Sequence, residues 1–111
     1  MAPKQKVKPP KSVTVAGLTW LIRRKKGLRF HGDEVDGLCV PNRQEILLNP
    51  VILDKTDRTR KVIIHEATHA GLLAYLQYDD EQLVGILENY IDELIRLNPD
   101  LMRMYGYERP R

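Results

Sequence analysis

An α+β fold, in which a small antiparallel β-sheet packs against two main helices, is the architecture that this sequence of 111 residues predicts. Residues 12–48 contain short runs of apolar and β-branched side chains separated by turn-forming residues, a pattern typical of strands. Residues 57–97 contain two longer segments with apolar side chains at helical spacing. A block of strands followed by a block of helices favours a sheet covered by helices.

The strands are predicted as two pairs. Residues 12–23 alternate apolar and polar side chains around an Ala-Gly pair, so they should form a short hairpin. A second pair is predicted at Gly37–Val40 and Glu45–Leu48, joined by the turn-forming residues 41–44.

The first helix is predicted to begin with Thr56 or Asp57 as its N-cap and to run into the seventies. The second should begin at Asp79, which forms a capping-box pattern with Gln82, and continue to about residue 97. Apolar side chains recur along this helix at the spacing of a single face. The predicted core face of the second helix consists of Leu83, Leu87, Tyr90, Leu94 and Leu97.

Size and composition predict one domain. Residues 1–11 are rich in Lys and Pro and are expected to form a disordered basic tail, which leaves 12–111 as the domain. No apolar run approaches membrane-spanning length and no signal-peptide segment is present, so we expect a cytoplasmic location and no membrane partner. Cys39 is the only cysteine, which excludes an internal disulfide and a Cys-rich structural zinc site.

Basic residues are concentrated at the amino-terminal end, where residues 1–30 carry nine of the eighteen Lys and Arg and no acid. Such an arm can make a weak contact with nucleic acid. The alternative is a solvated tail, which is favoured because no aromatic side chain lies between its lysines to stack on bases.

The strongest functional signal is the motif His65-Glu66-Ala67-Thr68-His69 within the first helix. Histidines four residues apart lie on one helical face, so both imidazoles can bind a single zinc ion. Glu66 can then act as general base on a water bound to the metal. The alternative is a pair of hydrogen-bonded core histidines with Glu66 paired to a nearby Arg such as Arg60.

The motif and its surroundings resemble the compact zincin-like metallopeptidases encoded by phages and bacteria. The resemblance covers residues 13–99 and depends on the apolar lead-in Val62-Ile63-Ile64, on the motif itself, and on Asp80-Glu81-Gln82-Leu83 at the start of the next helix. Remoter relatives are the regulatory zincins that cleave phage repressors and the SprT-like zincins that trim DNA-bound proteins. The resemblance implies a zincin-like fold, and a strand at residues 44–48 forming the sheet edge on which an extended peptide pairs.

The motif helix contains no third histidine, so the third zinc ligand must come from elsewhere. Glu81 and Glu88 are the candidates, and they lie on one stripe of the second helix. Glu81 is favoured, because the resemblance implies a glutamate there and Gly71 should allow an early bend that returns the second helix to the metal. Glu88 remains the alternative and requires an antiparallel helix pair. Asp92 and Glu93 are expected to be solvated, and His31 to be a polar loop residue.

These residues predict a zinc-dependent metallopeptidase that hydrolyses peptide bonds with a metal-activated water and takes a protein or peptide substrate. The alternative is a non-catalytic, zinc-stabilised domain that binds protein or DNA. Glu66 favours hydrolysis, because a purely structural zinc site does not need a carboxylate beside its first ligand.

Overall fold

The computed structural model describes residues 8–107. Its strands and helices are β1 (Ser12–Val15), β2 (Leu18–Arg24), β3 (Arg29–Phe30), β4 (Asp33–Glu34), β5 (Gly37–Val40), β6 (Glu45–Leu48), α1 (Thr56–Leu76), α2 (Glu81–Arg96) and α3 (Pro99–Met104). Four strands form one sheet in the order β1-β2-β6-β5, and β3 pairs with β4 in a separate ribbon. No helix in this part of the chain combines the length and the apolar character that crossing a bilayer requires.

The fold is α+β as predicted, but the sheet is mixed rather than antiparallel. The β1–β2 and β5–β6 pairs are antiparallel, whereas β2 and β6 run parallel with Leu21 opposite Glu45. Parallel pairing places Ile22 opposite Ile46, and both belong to the core beneath α1. Local turn signals specify each hairpin but carry no information on how two hairpins join, which is why the antiparallel prediction was wrong at this pairing.

Side chains along each strand point alternately to the two faces of the sheet, and one of these faces lies against α1. Helix α1 packs across β5, β6 and β1. The largest contributor to this face is Trp20, of which only 6% is exposed. The core cluster between sheet and helix comprises Trp20, Ile46, Leu48, Leu53 and Ala70. Burial of this cluster fixes the position of α1 over the sheet, and with it the motif that α1 carries.

Helix α1 runs into the seventies as predicted, but its N-cap differs from the prediction. Its N-cap is Lys55, whose side chain makes no capping hydrogen bond, so neither Thr56 nor Asp57 has the capping role. The bend expected at Gly71 is absent. The helix continues to Leu76 and ends where Gln77 adopts a left-handed conformation with a φ of 51°. The chain therefore reverses direction after α1, not within it.

Helix α2 is capped by Asp80 rather than by Asp79. The Asp80 carboxylate accepts hydrogen bonds from the backbone N–H of Gln82, at 2.9 Å, and of Leu83, at 3.2 Å. These bonds satisfy two of the free N–H groups at the helix start. The helix starts one residue later than predicted, which leaves the Asp79 side chain free to bond elsewhere.

The face of α2 that packs on α1 is rotated from the predicted one. Val84 is fully buried, whereas Tyr90 is 59% exposed and Leu97 58% exposed. Asp92, predicted to be solvated, is buried, and its carboxylate lies 2.6 Å from Arg60 Nε and 3.3 Å from Arg96 Nε. The prediction for Asp92 was wrong because a charged residue that is not a candidate ligand was expected to face solvent, whereas α1 offers Asp92 a cationic partner in Arg60.

Replacing Asp92 with Asn should lower the free energy of unfolding by about 2–3 kcal/mol at neutral pH, because Arg60 is left next to an uncharged amide in a mostly buried site. The hydrogen bond from Arg60 lowers the pKa of Asp92 below its ordinary 3.8, outweighing burial. The contribution of the pair is therefore present above that value and is lost as pH falls through the folded pKa. Urea unfolding from pH 7 to pH 2 measures both effects.

The control for this substitution is Glu93→Gln, on the exposed neighbouring residue. It should leave stability within about 0.5 kcal/mol of the unmodified protein. Equal stabilities for Asp92→Asn and the unmodified protein at pH 7 would contradict the assigned role.

Candidate metal centre

His65 and His69 lie one turn apart on α1, with ring centroids 5.0 Å apart. Both present Nε2 to the same carboxylate: His65 Nε2 is 2.7 Å from Glu81 Oε1, and His69 Nε2 is 2.8 Å from Glu81 Oε2. The ligand atoms of these three residues all lie within 4.8 Å of one another. Two imidazole nitrogens and a carboxylate oxygen form a donor set that suits zinc with an open fourth position, so the residues fit the ion that the motif predicts.

The two helices run antiparallel, and this one arrangement brings both candidate glutamates to the histidines. Glu88 Oε1 lies 2.7 Å from His65 Nδ1, on the side of the ring opposite to Glu81. The expectation that Glu81 requires an early bend was therefore wrong, whereas the antiparallel pair does bring Glu88 level with His65, as expected. The two glutamates differ in the ring nitrogen that each one faces.

Asp79 has an equivalent position on the second histidine, with its Oδ1 2.7 Å from His69 Nδ1. Each imidazole is thus held between two carboxylates. A carboxylate that accepts a hydrogen bond from Nδ1–H fixes the ring orientation and leaves the Nε2 lone pair for a metal. Sequence analysis assigned Asp79 a capping role and missed this contact. The available signal was the second acid at residue 80, which makes Asp79 unnecessary as a cap.

Negative charge dominates the electrostatics of the centre. Burial lowers the pKa of His65, but the hydrogen bond to Glu88 and the charges of Glu66 and Glu81 outweigh it, so the net pKa is raised. Protonated histidine is one way to offset these carboxylates. A bound divalent cation is the other, and it requires the imidazoles to be neutral.

Glu66 is buried, with 8% of its surface exposed, and it faces β5. Burial raises the pKa of its carboxyl group, while the two motif histidines and the Cys39 backbone N–H, which donates to the carboxylate, partly oppose the shift. Arg60 forms ion pairs with Asp57 and Asp92. The alternative in which Arg60 neutralises Glu66 was therefore wrong. Glu66 is left beside the histidines as a carboxyl group with an elevated proton affinity.

A cleft of about 890 Å³ opens between α1 and β5 and contains both histidines and Glu66. Within residues 8–107, β5 pairs with β6 on one side and with no strand on the other, so it forms an edge of the sheet. The strand expected at the edge, residues 44–48, corresponds to β6, which instead lies between β2 and β5. That expectation is therefore corrected: the edge strand beside the centre is β5.

Arg58 and Phe30 also line the cleft. Arg58 makes a two-pronged ion pair with Asp36, at 2.7 and 2.9 Å, and so ties α1 to the segment before β5. Phe30 lines the cleft from the β3–β4 ribbon, with its ring centroid 4.0 Å from that of His31. His31 lies in the turn of this ribbon and is not part of the metal-binding group.

No family model, curated protein or solved structure matches this chain. The chemistry of the centre is therefore the basis on which a function can be assigned.

Gly37 allows β5 to approach α1 closely. A Cβ at this position would lie 2.5 Å from Val62 Cγ1 and 3.4 Å from Glu66 Oε2. We expect Gly37→Ala to lower the free energy of unfolding by about 1–3 kcal/mol, because either Val62 or the strand must move. Chemical denaturation measures the change.

The matched control is Gly85→Ala within α2, where an added Cβ meets no atom within 4 Å. This change should stabilise the protein by up to about 1 kcal/mol, since alanine favours helix over glycine. If both alanine variants shifted stability in the same direction, close packing of β5 on α1 would not be the cause.

Proposed function

We propose that this protein is a zinc-dependent metallopeptidase, an enzyme that hydrolyses peptide bonds with a metal-activated water. The observation that supports it most directly is the convergence of His65 Nε2, His69 Nε2 and the Glu81 carboxylate beside the buried Glu66. A structural zinc site needs only the ligands. The additional buried carboxylate facing an open cleft favours a hydrolytic role.

His65, His69 and Glu81 hold the ion in this proposal. Glu81 is favoured over Glu88 because it faces the Nε2 atoms of both rings, whereas Glu88 contacts only Nδ1 of His65. Glu88 and Asp79 keep the rings in place. The Glu81 side chain is 71% exposed, so it can move aside from the direct contacts it makes with the rings.

A zinc ion bound here supplies a Lewis acid that lowers the pKa of a water and polarises a carbonyl group. Glu66 accepts the proton of that water. Its carboxylate is buried beside both histidines, which is the position that a general base for that water requires. The same residue can then deliver the proton to the departing amine.

An extended peptide is the substrate shape that suits the cleft. The free edge of β5 borders it, and Gly37, Leu38 and Cys39 all line it. Backbone pairing with a strand edge binds a peptide through groups common to all sequences.

Zinc stoichiometry and affinity test the ligand assignment. The full chain should bind one zinc ion, and His65→Ala or His69→Ala should abolish tight binding, because each removes a ligand. Glu88→Ala should weaken binding about 10–100-fold through loss of ring orientation. Glu81→Ala should cause a larger loss. Elemental analysis and competition with a chromophoric chelator measure these effects.

Glu93→Ala, on an exposed residue of the same helix, is the control and should bind zinc normally. A larger loss for Glu88→Ala than for Glu81→Ala would move the third ligand to Glu88. Retention of tight binding in both histidine variants would reject the centre.

Glu66→Gln tests the catalytic proposal separately. The amide cannot accept a proton, so this variant should keep its zinc and its fold and lose peptide hydrolysis. Cleavage of a mixed peptide library, followed by mass spectrometry, measures activity. A zinc-loaded protein that cleaved no peptide in either form would support the alternative, a non-catalytic zinc-stabilised domain.

A further inference from the structure

Phe30, the only phenylalanine of the chain, lies at the tip of the β3–β4 ribbon. It pairs with Asp33 across a two-residue turn formed by His31 and Gly32. Both turn residues have a positive φ, of 53° and 85°, as a tight hairpin turn of type I′ requires. The turn therefore sets the position of Phe30 within the ribbon.

Hydrogen bonds anchor the ribbon at both of its ends. The carbonyl oxygen of the buried Leu28, before the ribbon, accepts from the backbone N–H of Val35, after it, at 3.0 Å. The side-chain amide of the buried Asn49 donates to Glu34, at 3.0 Å, and to the Val35 carbonyl oxygen, at 3.2 Å. None of these bonds involves the Phe30 side chain, so they hold the ribbon in place whatever side chain residue 30 carries.

The Phe30 side chain is 49% exposed and lines the cleft of the metal centre. Val35 and Val62 line the same cleft. Val35 directly follows the ribbon, and Val62 lies three residues before His65 on α1, so these apolar side chains lie close to the metal centre. We define the ribbon subsite as Phe30, Val35 and Val62.

Charged residues around the ribbon subsite are already paired within the protein. A ligand that brought a charged side chain there would compete with these pairs or leave its own charge without a partner. An apolar side chain needs no partner, so the charges favour an uncharged apolar occupant. The pairs are Arg58–Asp36, Arg60–Asp57 and Lys61–Glu88, with nitrogen–oxygen distances of 2.7, 3.1 and 3.9 Å.

An exposed phenylalanine ring gains most from contact with another apolar group, because both surfaces then leave water. A second aromatic ring gains more, since the two rings can pack edge to face or with an offset. His31 contacts the Phe30 ring on one side, at a ring-centroid distance of 4.0 Å. The rest of the ring remains available to a ligand in the cleft.

We propose that the ribbon subsite selects peptides that carry a large apolar or aromatic side chain at one position close to the cleaved bond, with Phe30 as the specificity-determining residue. The proposal rests on the peptidase function proposed above, but binding to the subsite can be measured without hydrolysis. Pairing with β5 recognises the peptide backbone, whereas the ribbon subsite recognises one side chain.

Peptide binding to the inactive, zinc-loaded Glu66→Gln variant tests the subsite apart from catalysis. The probes are two fluorescein-labelled, end-capped heptapeptides of Ala, Ser and Gly that differ only at the central residue, which is Phe in one and Ala in the other. The Phe peptide should bind about tenfold more tightly. Adding Phe30→Ala should reduce this ratio to about one, and fluorescence anisotropy measures it.

The matched control is Leu18→Ala, added to the same Glu66→Gln background. Leu18 is 48% exposed, almost the same as Phe30, but it lies on β2 and does not line the cleft. This change should leave the affinity ratio near ten. Should Phe30→Ala fail to fold, Phe30→Glu gives the same test, because it keeps a long side chain on the ribbon and removes the apolar surface. Equal affinities of Glu66→Gln for the two peptides, or an equal loss of the ratio in Leu18→Ala and Phe30→Ala, would overturn the proposal.

Cleavage of a mixed peptide library by the zinc-loaded full chain tests the same preference during hydrolysis. The cleaved sequences should share a large apolar side chain at one fixed position, and Phe30→Ala should lose this preference while keeping its zinc. Cleavage by the unmodified chain with no preference at any position would reject the subsite. If the unmodified chain cleaved nothing but Glu66→Gln still bound the Phe peptide more tightly, the subsite would be supported and the peptidase function alone would fail.

Discussion

Antiparallel packing of α1 against α2 determines where every acidic side chain of the candidate metal centre lies. At one end of the pair Arg60 binds the buried Asp92, and at the other the two motif histidines meet Glu81. Sliding α2 by one residue would turn Glu81 and Glu88 away from the rings, since neighbouring residues on a helix differ by about 100° in direction. The Arg60–Asp92 pair therefore fixes the register at a site where no metal ligand is present.

Four carboxylates surround two imidazoles in this centre, and such an arrangement is unfavourable for folding unless positive charge offsets it. Glu66, Glu81, Glu88 and Asp79 all belong to the same small region of α1, α2 and the turn between them. Glu66 is buried, and an ordinary core would favour an apolar residue at its position. The chain instead keeps four acids close together, and in the function proposed above a bound cation offsets their charge.

The locally determined parts of the structure could be predicted from the sequence. The two hairpins follow from turn residues next to alternating strands, and the relation of His65 to His69 follows from helical spacing alone. Tertiary contacts could not be predicted in this way. The parallel pairing of β2 with β6, the partner of Asp92 and the contact of Asp79 with His69 all depend on how separate elements meet. The wrong face of α2 has a different origin: apolar periodicity shows how wide an apolar sector is, but not which part of it a neighbouring helix covers.

The reversal of the chain at Gln77 has a consequence for how the centre assembles. Contacts between the histidines and their orienting acids join residues only 10 and 23 positions apart, all within a single helical hairpin. Closing such short loops costs little chain entropy compared with bringing distant segments together. The arrangement of ligands is thus encoded almost completely in one contiguous stretch of sequence. The sheet contributes mainly the wall formed by β5, which buries one side of Glu66.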